Sequence, residues 1–461
     1  TAPFQLHPLK CLMSQKPTLK ESTRVWTPTP KAKRFFGRIV NSQLMILLLS
    51  MAMQSATAHM AADVVASKRP MVSGTLIGSD GLLAVPVMGG DSMPKPIMGV
   101  GISSDGTVYV TETVRQQREE ISLIQSPFLH EQDMELISIK AKRQWIMENY
   151  SRQIAARQGV GDYNGDGKVD VKDLSVRSEK IYTLQDENAD GVFDKATLFA
   201  DGFNKVLTGV AHSVTPIDGH VYTTIIPDLW KLTDTDGDGV SDRRESIAHG
   251  FAPHIGYGNH DLHSIVQGYD GKLYWSMGDR GVDVLTKKGT RVSNPHSGCI
   301  LRCNPDGSEF EVFASGLRNC QYFDFDNHGN IFSVDHDADF QGERERLVYL
   351  PEGSDSGWRM YYQYRNTTLV RAAREDLYNP WLAEKMWVPF HKGQPSHLLP
   401  AIENSWNAPA AFSFQPGTAL GGAYRDHFFL GGKGDIRTFR MIADGAGFKR
   451  QGDHIPIQGL A

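Results

Sequence analysis

A short unit recurs along this chain and constrains its fold more than any other feature. A turn built on Asp-Gly or His-Gly leads at once into an alternating apolar and aromatic run. The copies are Ser104-Asp105-Gly106-Thr107-Val108-Tyr109, Ile217-Asp218-Gly219-His220-Val221-Tyr222, Tyr269-Asp270-Gly271-Lys272-Leu273-Tyr274 and Asn327-His328-Gly329-Asn330-Ile331-Phe332, with a degenerate copy from Tyr424 to Phe429. Glycine supplies the positive φ of a tight hairpin, and the period-two run after it is a strand with one face on a core. A single hairpin cannot bury that face, so repeated copies predict all-β sheets packed on one another, as in a β-propeller. The last copy lies close to Ala461. A propeller closes by pairing its ends, so the natural protein is expected to continue past this chain.

Two wide intervals between copies predict insertions. The first covers residues 133–180. Within it, Asp133 to Ala156 carries good helix formers with apolar residues near helical spacing and predicts one helix. The second covers 358–406 and is rich in aromatics, with a short helical stretch around Leu369 to Leu377, and suits a lid over a propeller mouth. Before the first copy, Lys31, Lys33, Arg34 and Arg38 precede the apolar run Leu44 to Met53 and the small-residue pattern Ala56-Thr57-Ala58. Residues 1–58 therefore read as a leader, with a short membrane anchor as the alternative, 59–95 as a linker and 96–461 as the propeller. The expected location is periplasmic or secreted, with membrane association only through an uncleaved leader. With 48 basic and 53 acidic residues and a net charge of −5, nothing calls for nucleic acid. Of the four cysteines, Cys11 falls in the leader, while Cys303 and Cys320 are either a cross-strand disulfide or, with Cys299, buried free thiols.

Oxygen-bearing residues alternate in Asp162-Tyr-Asn164-Gly-Asp166-Gly-Lys168-Val-Asp170, with Asp173 at position 12, and in Asp234-Thr-Asp236-Gly-Asp238-Gly-Val240-Ser-Asp242, with Glu245 at position 12. A weaker third segment starts at Asp186. Side-chain oxygens at positions 1, 3, 5, 9 and 12, with the backbone carbonyl of position 7 (Lys168 or Val240), wrap a calcium ion, and glycine at position 6 allows the sharp turn. An acidic turn without metal is the alternative. A calcium held there is expected to be a structural staple.

The segment from His260 to Gly281 gathers the most chemistry. A histidine opens it, a Tyr-Asp-Gly-Lys turn leads into the run Leu273 to Met277, and Gly278-Asp279-Arg280-Gly281 closes it. That pairs a candidate base with a candidate orienting acid. The segment's His-x-x-x-x-Ile-x-x-Gly-x-Asp-Gly-x-Leu-Tyr-x-x-x-Gly-Asp-x-Gly pattern resembles the soluble quinoprotein glucose and sorbosone dehydrogenase family, as do Ile300-Leu301-Arg302-Cys303-Asn304-Pro305-Asp306-Gly307 and Gly316, Arg318, Asn319, Gln321, Phe325 and Asp326. The acidic loops and Gln415-Pro416-Gly417 resemble a subgroup, the membrane-bound dehydrogenases of planctomycete-type bacteria.

The resemblance implies a six-bladed propeller binding pyrroloquinoline quinone (PQQ) and calcium. It implies His260 as the general base, Asp279 as its orienting acid, Arg318 beside the negative charge developing on the quinone, and Asn319 on the cofactor. Ser264 stands where the family has arginine, and the stretch containing Asp337 stands where it has Gly-Pro carbonyls. Lys433 and Arg437 are the nearest cations to the family's cofactor clamp. Two functions follow as expectations. One is an exported dehydrogenase of sugars or alcohols that passes electrons to an acceptor such as a cytochrome c. The other is a non-catalytic, calcium-stabilised propeller that binds a carbohydrate or protein partner.

Overall fold

The computed structural model describes residues 93–460 except 95, 116–119, 339, 341, 365–377, 390, 391, 393–397, 405–408 and 433, together with a strand pair at 76–77 and 83–84. The expected leader, most of the linker, the helical stretch at 369–377 and Lys433 lie outside the described residues.

The chain is all-β, with antiparallel sheets and few helices. Five four-stranded sheets follow one another. Blade 1 holds Ile97–Ile102, Val108–Glu112, Glu179–Gln185 and Lys195–Phe203, and blade 2 holds Ala211–Ile217, His220–Ile225, Asp228–Thr233 and Arg243–His249. Blade 3 holds Leu262–Gln267, Leu273–Met277, Gly298–Cys303 and Glu311–Leu317, and carries the extra hairpin Val282–Leu285 and Arg291–Asn294. Blade 4 holds Cys320–Phe325, Ile331–Asp335, Arg346–Tyr349 and Glu403–Asn404, and blade 5 holds Ala411–Gln415, His427–Gly432, Gly434–Asp444 and Gly447–Leu460. The six-blade expectation meets five four-stranded sheets among the described residues.

The recurring turn does in each sheet what its chemistry predicts. In blade 2, Asp218 (φ 50°) and Gly219 (φ 76°) form a two-residue hairpin with Ile217 opposite His220. Positive φ at both central residues matches the right-handed strand twist. In blade 3, Asp270 Oδ1 accepts from Lys272 N at 3.1 Å, and Gly271 N closes on Gly268 O at 2.9 Å. The strand after this turn, Leu273–Met277, is buried throughout.

First strands of successive blades lie side by side. Thr111 Oγ1 of blade 1 donates to Ala211 O at 2.8 Å, and Thr215 Oγ1 of blade 2 donates to Ile265 O at 3.0 Å. Gly99 is required at the first of these contacts, because a Cβ there would stand 2.5 Å from His212 O. The first strands of blades 1 to 4 all break register near their starts: between Ile97 and Val100, Ala211 and Ser213, His263 and Ile265, and Cys320 and Phe323. Such bulges re-aim side chains at the rim of a sheet.

The insertion after blade 1's second strand differs from the single helix expected over 133–156. It divides into His130–Asp133, Ile139–Asn149 and Arg152–Arg157. The divisions fall at Ser138 and Ser151, whose hydroxyls accept from Ala141 N at 3.2 Å and Ile154 N at 3.4 Å. Serine at an N-cap starts a new helix rather than continuing an old one. A 3-10 turn at Val171–Ser175 gives way to the strand Glu179–Gln185, whose apolar residues pair with blade 1. Cys299, Cys303 and Cys320 are free and buried. Among the described residues no helix is long and apolar enough to cross a membrane.

Candidate active site

His260 ends the loop from blade 2 to blade 3, and Asp279 follows blade 3's second strand. They meet because these two strands pair antiparallel, Leu262 opposite Met277. Gly278 is essential to the approach, since a Cβ on it would lie 2.6 Å from the His260 backbone. Asp279 Oδ1 then sits 2.7 Å from His260 Nδ1. The carboxylate takes the Nδ1 proton as its hydrogen-bond donor, which leaves the Nε2 lone pair to accept a proton. Burial pushes the His260 pKa below its ordinary value, and Arg318 adds to this against the opposing pull of Asp279. For Asp279 burial acts upward, but His260, Arg318 and the Trp358 indole outweigh it and hold the carboxyl below its usual range. The pair is thus a neutral imidazole beside a carboxylate at neutral pH.

Arg318 and Asn319 arrive from the turn between blades 3 and 4. Arg318 O accepts from Asp279 N at 2.8 Å, which joins the two blades at the site. Asp335 fixes the turn: its carboxylate accepts from Arg318 N at 2.9 Å and Asn319 N at 2.7 Å and is paired with the buried Arg346 guanidinium. Arg318 Nε donates to Gln363 Oε1 at 2.9 Å. Asn319 Nδ2 donates to Asn259 O at 3.2 Å, and Asn319 Oδ1 is 3.2 Å from His263 Nε2. All of His260, Asp279, Arg318 and Asn319 are buried.

Chain neighbours of this pair form a second one behind it. Asp261 binds Arg280, which also binds Glu120 of the segment that leads from blade 1's second strand into the first insertion. His212, thrown out by the blade 2 bulge, lies with Nε2 3.5 Å from Asp261 Oδ2 and its ring 4.2 Å from His263. The Asp133 carboxylate accepts from Gly256 N at 3.1 Å and from Tyr364 OH at 2.7 Å, and Lys142 Nζ donates to Ala252 O at 3.0 Å and His254 O at 2.9 Å. Both insertions therefore meet on the loop that carries His260. The aromatic-rich insertion supplies Trp358, whose Nε1 donates to Asp279 Oδ2 at 2.8 Å.

The structure brings together His260, Asp279, Arg318 and Asn319 and leaves other expected residues elsewhere. Asp337 follows blade 4's second strand, near enough to Glu343 to raise that group's pKa, though burial is the larger cause. Arg437 lies in blade 5, with Nε 3.1 Å from Asp435 Oδ2 and Nη1 3.2 Å from Asp453 Oδ2. In the acidic loops, Asp162 accepts from Gly165 N and Gly167 N, both at 2.8 Å, and Asp234 accepts from Gly237 N at 2.7 Å and Gly239 N at 2.9 Å. Asp234, Asp236 and Asp238 offer oxygens within 4.8 Å of one another. The position-12 residues differ: Asp173 folds back on its own loop, accepting from Tyr163 N at 2.8 Å and Asp170 N at 2.9 Å, whereas Glu245 is paired with Lys287 at 3.1 Å. Trp358, Asp335 and Gln363 carry no local motif that points to their partners Asp279, Arg318 and Asn319.

No curated protein matches the chain. Similar solved structures include an oxidoreductase described as a glucose dehydrogenase from Thermus thermophilus, at 13% identity and TM-score 0.44, over 81% of this chain and 86% of that one. The PQQ-bound aldose sugar dehydrogenase of Streptomyces coelicolor has 14% identity and TM-score 0.44, over 81% and 84%. The holo PQQ domain of the pyranose dehydrogenase of Coprinopsis cinerea has 9% identity and TM-score 0.41, over 84% and 86%. Residues 104–453 match the model of DUF7133, a domain of unknown function, and the chain belongs to that family.

Proposed function

We propose that His260 is the general base of an exported oxidoreductase that acts on a hydroxyl-bearing carbon of a sugar or alcohol, with PQQ and calcium as cofactors. The observation that carries this reading is the buried His260–Asp279 pair at 2.7 Å, joined to Arg318 through the Asp279 N to Arg318 O hydrogen bond. The motif resemblance to quinoprotein sugar dehydrogenases supplies the cofactor class.

The residues present suit the redox end of such a cofactor. Arg318 and Asn319 are buried polar groups beside the base, and among the described residues Asn259 Oδ1 is a buried oxygen with no hydrogen-bond partner. A quinone held there supplies the hydride acceptor. The protein's own work is proton handling and placement. His260 Nε2 takes the hydroxyl proton, Asp279 holds the imidazole and stabilises the imidazolium that results, and the Arg318 guanidinium stabilises developing negative charge. Placement of this kind, rather than the redox chemistry, is what a protein contributes to a cofactor enzyme.

One observation favours the second reading, a non-catalytic propeller. Arg437 is already ion-paired to both Asp435 and Asp453, so it is not set aside for a cofactor carboxylate. The test between the readings is reconstitution with PQQ and calcium, followed by dye reduction across a panel of aldoses and alcohols. Turnover that is lost in His260→Ala supports the dehydrogenase. No turnover with any substrate, together with binding of a glycan, supports the binding module. The Asp234-Asp236-Asp238 loop is the part of the calcium assignment with the most compact oxygen set, and its proposed role is to brace blade 2.

A further inference from the structure

We infer that Trp358 is a positioning residue for the His260–Asp279 pair, acting through its indole N–H on Asp279. This deepens the reading of His260 as a base and rests on it. Asp279 has two carboxylate oxygens with separate duties. Oδ1 faces His260 Nδ1 at 2.7 Å, and Oδ2 receives Trp358 Nε1 at 2.8 Å. A carboxylate held at both oxygens cannot rotate about its Cβ–Cγ bond without breaking one bond, so the indole fixes the plane in which the imidazole is held. Trp358 is itself immobilised. It is completely buried, packed edge-on against Trp381 at 5.0 Å and Tyr362 at 5.7 Å, and its backbone N–H is tied to Gly316 O at 2.9 Å in blade 3. The Arg318 guanidinium carbon lies 6.0 Å from its ring. Trp358 thus touches the orienting acid through its N–H and the site arginine through its ring, which is otherwise packed against Trp381 and Tyr362.

The indole also withdraws charge from Asp279 that would otherwise favour the imidazolium. Removing the N–H concentrates negative charge toward His260 and raises its pKa. The groups that face His260 are Asp279 and Arg280 of blade 3, Tyr257 and His263 beside it, Arg318, and His336 of blade 4. Of these, Asp279 is hydrogen-bonded to Trp358 and Arg318 lies over its ring, so the Asp279→Asn background isolates the part of the effect that runs through the carboxylate.

The experiment replaces Trp358 by phenylalanine and, separately, by benzothienylalanine, which keeps the indole shape and lacks the N–H. The His260 ring is titrated by NMR in the protein free of cofactor, and steady-state kinetics are taken after loading with PQQ and calcium. The expected result in either variant is a His260 titration moved up by about one pH unit. The change disappears in an Asp279→Asn background, because the coupling runs through that carboxylate. In the loaded enzyme turnover falls roughly tenfold with KM little changed. A folded benzothienylalanine variant with an unmoved His260 titration overturns the inference, even if Trp358→Phe unfolds. A moved titration in a protein that oxidises nothing on the substrate panel leaves Trp358 in its positioning role and removes the dehydrogenase reading.

Discussion

Asp261 and Arg280 form an ion pair directly behind His260 and Asp279, and each is the chain neighbour of one member of that pair. Both pairs lie just beyond the last register pair of these strands, Leu262 opposite Met277, in the loop that enters the first strand and the turn that leaves the second. The back pair is buried, and burial raises the Asp261 pKa less than Arg280 and His212 lower it. Replacing Arg280 by methionine strands Asp261 and Glu120 as buried carboxylates. The expected loss is about 3–5 kcal/mol of stability, read as a lower denaturant midpoint by tryptophan fluorescence.

Asp335 is expected to matter for both stability and chemistry. Its carboxylate holds the backbone of Arg318 and Asn319 and pairs with Arg346. Asp335→Ala leaves the buried Arg346 uncompensated, at a cost of roughly 3–5 kcal/mol. Asp335→Asn keeps one acceptor, so it should fold better and still lose turnover as Arg318 shifts. Chemical denaturation and dye-linked assay of the two variants separate these effects.

Acid should switch the base off at one histidine. Burial lowers the His260 pKa from its ordinary value of about 6.5. A base that works in its neutral form is then fully competent at neutral pH, and kcat/KM should fall only as pH drops through the folded-state pKa. The sign for stability is the same. The unfolded chain binds the His260 proton at a higher pH than the folded chain, so this group's contribution is lost as pH falls below about 6.5. An acid limb of kcat/KM at or above that pH contradicts the assignment.

Gly278→Ala should damage the site without touching a substrate. The added Cβ would lie 2.6 Å from the His260 backbone, so His260 must move away from Asp279. The expected effects are about 1–3 kcal/mol of destabilisation and a fall in kcat larger than any rise in KM. A variant with wild-type kcat would show that the pair tolerates displacement.

Calcium should raise the melting temperature, and Asp236→Asn should reduce the gain. At a free concentration of about one hundred times Kd, binding to the folded state adds roughly 2.7 kcal/mol. The check is a thermal melt with calcium against one with chelator. Equal melts in wild type and variant under both conditions argue that the loop is an acidic turn held by its own backbone hydrogen bonds.

The repeated Asp-Gly turns, the strands that follow them and the His260-to-Gly281 segment were legible along the chain because each is a local pattern. Asp218-Gly219 needs only its own φ angles to turn, and His260 and Asp279 meet because one hairpin lies between them. The single helix over 133–156 failed for an equally local reason, the caps at Ser138 and Ser151, which apolar spacing does not register. Glu245 is paired with Lys287, a residue of the next blade's hairpin, a contact that spacing within the loop does not register.

By itself, the order of residues determined the sheet-forming units, the turns between them and the pairing of His260 with Asp279, since these depend on backbone preference and on partners close in sequence. Only the tertiary structure decided that Trp358 would seal the second oxygen of Asp279, that Asp335 would hold Arg318, and that both insertions would close over the His260 loop. Trp358 lies 79 residues from Asp279, and Asp335 reaches Arg318 only across the turn between two packed blades. The energy of these contacts comes from burial and from polar groups that find partners only once the sheets have packed.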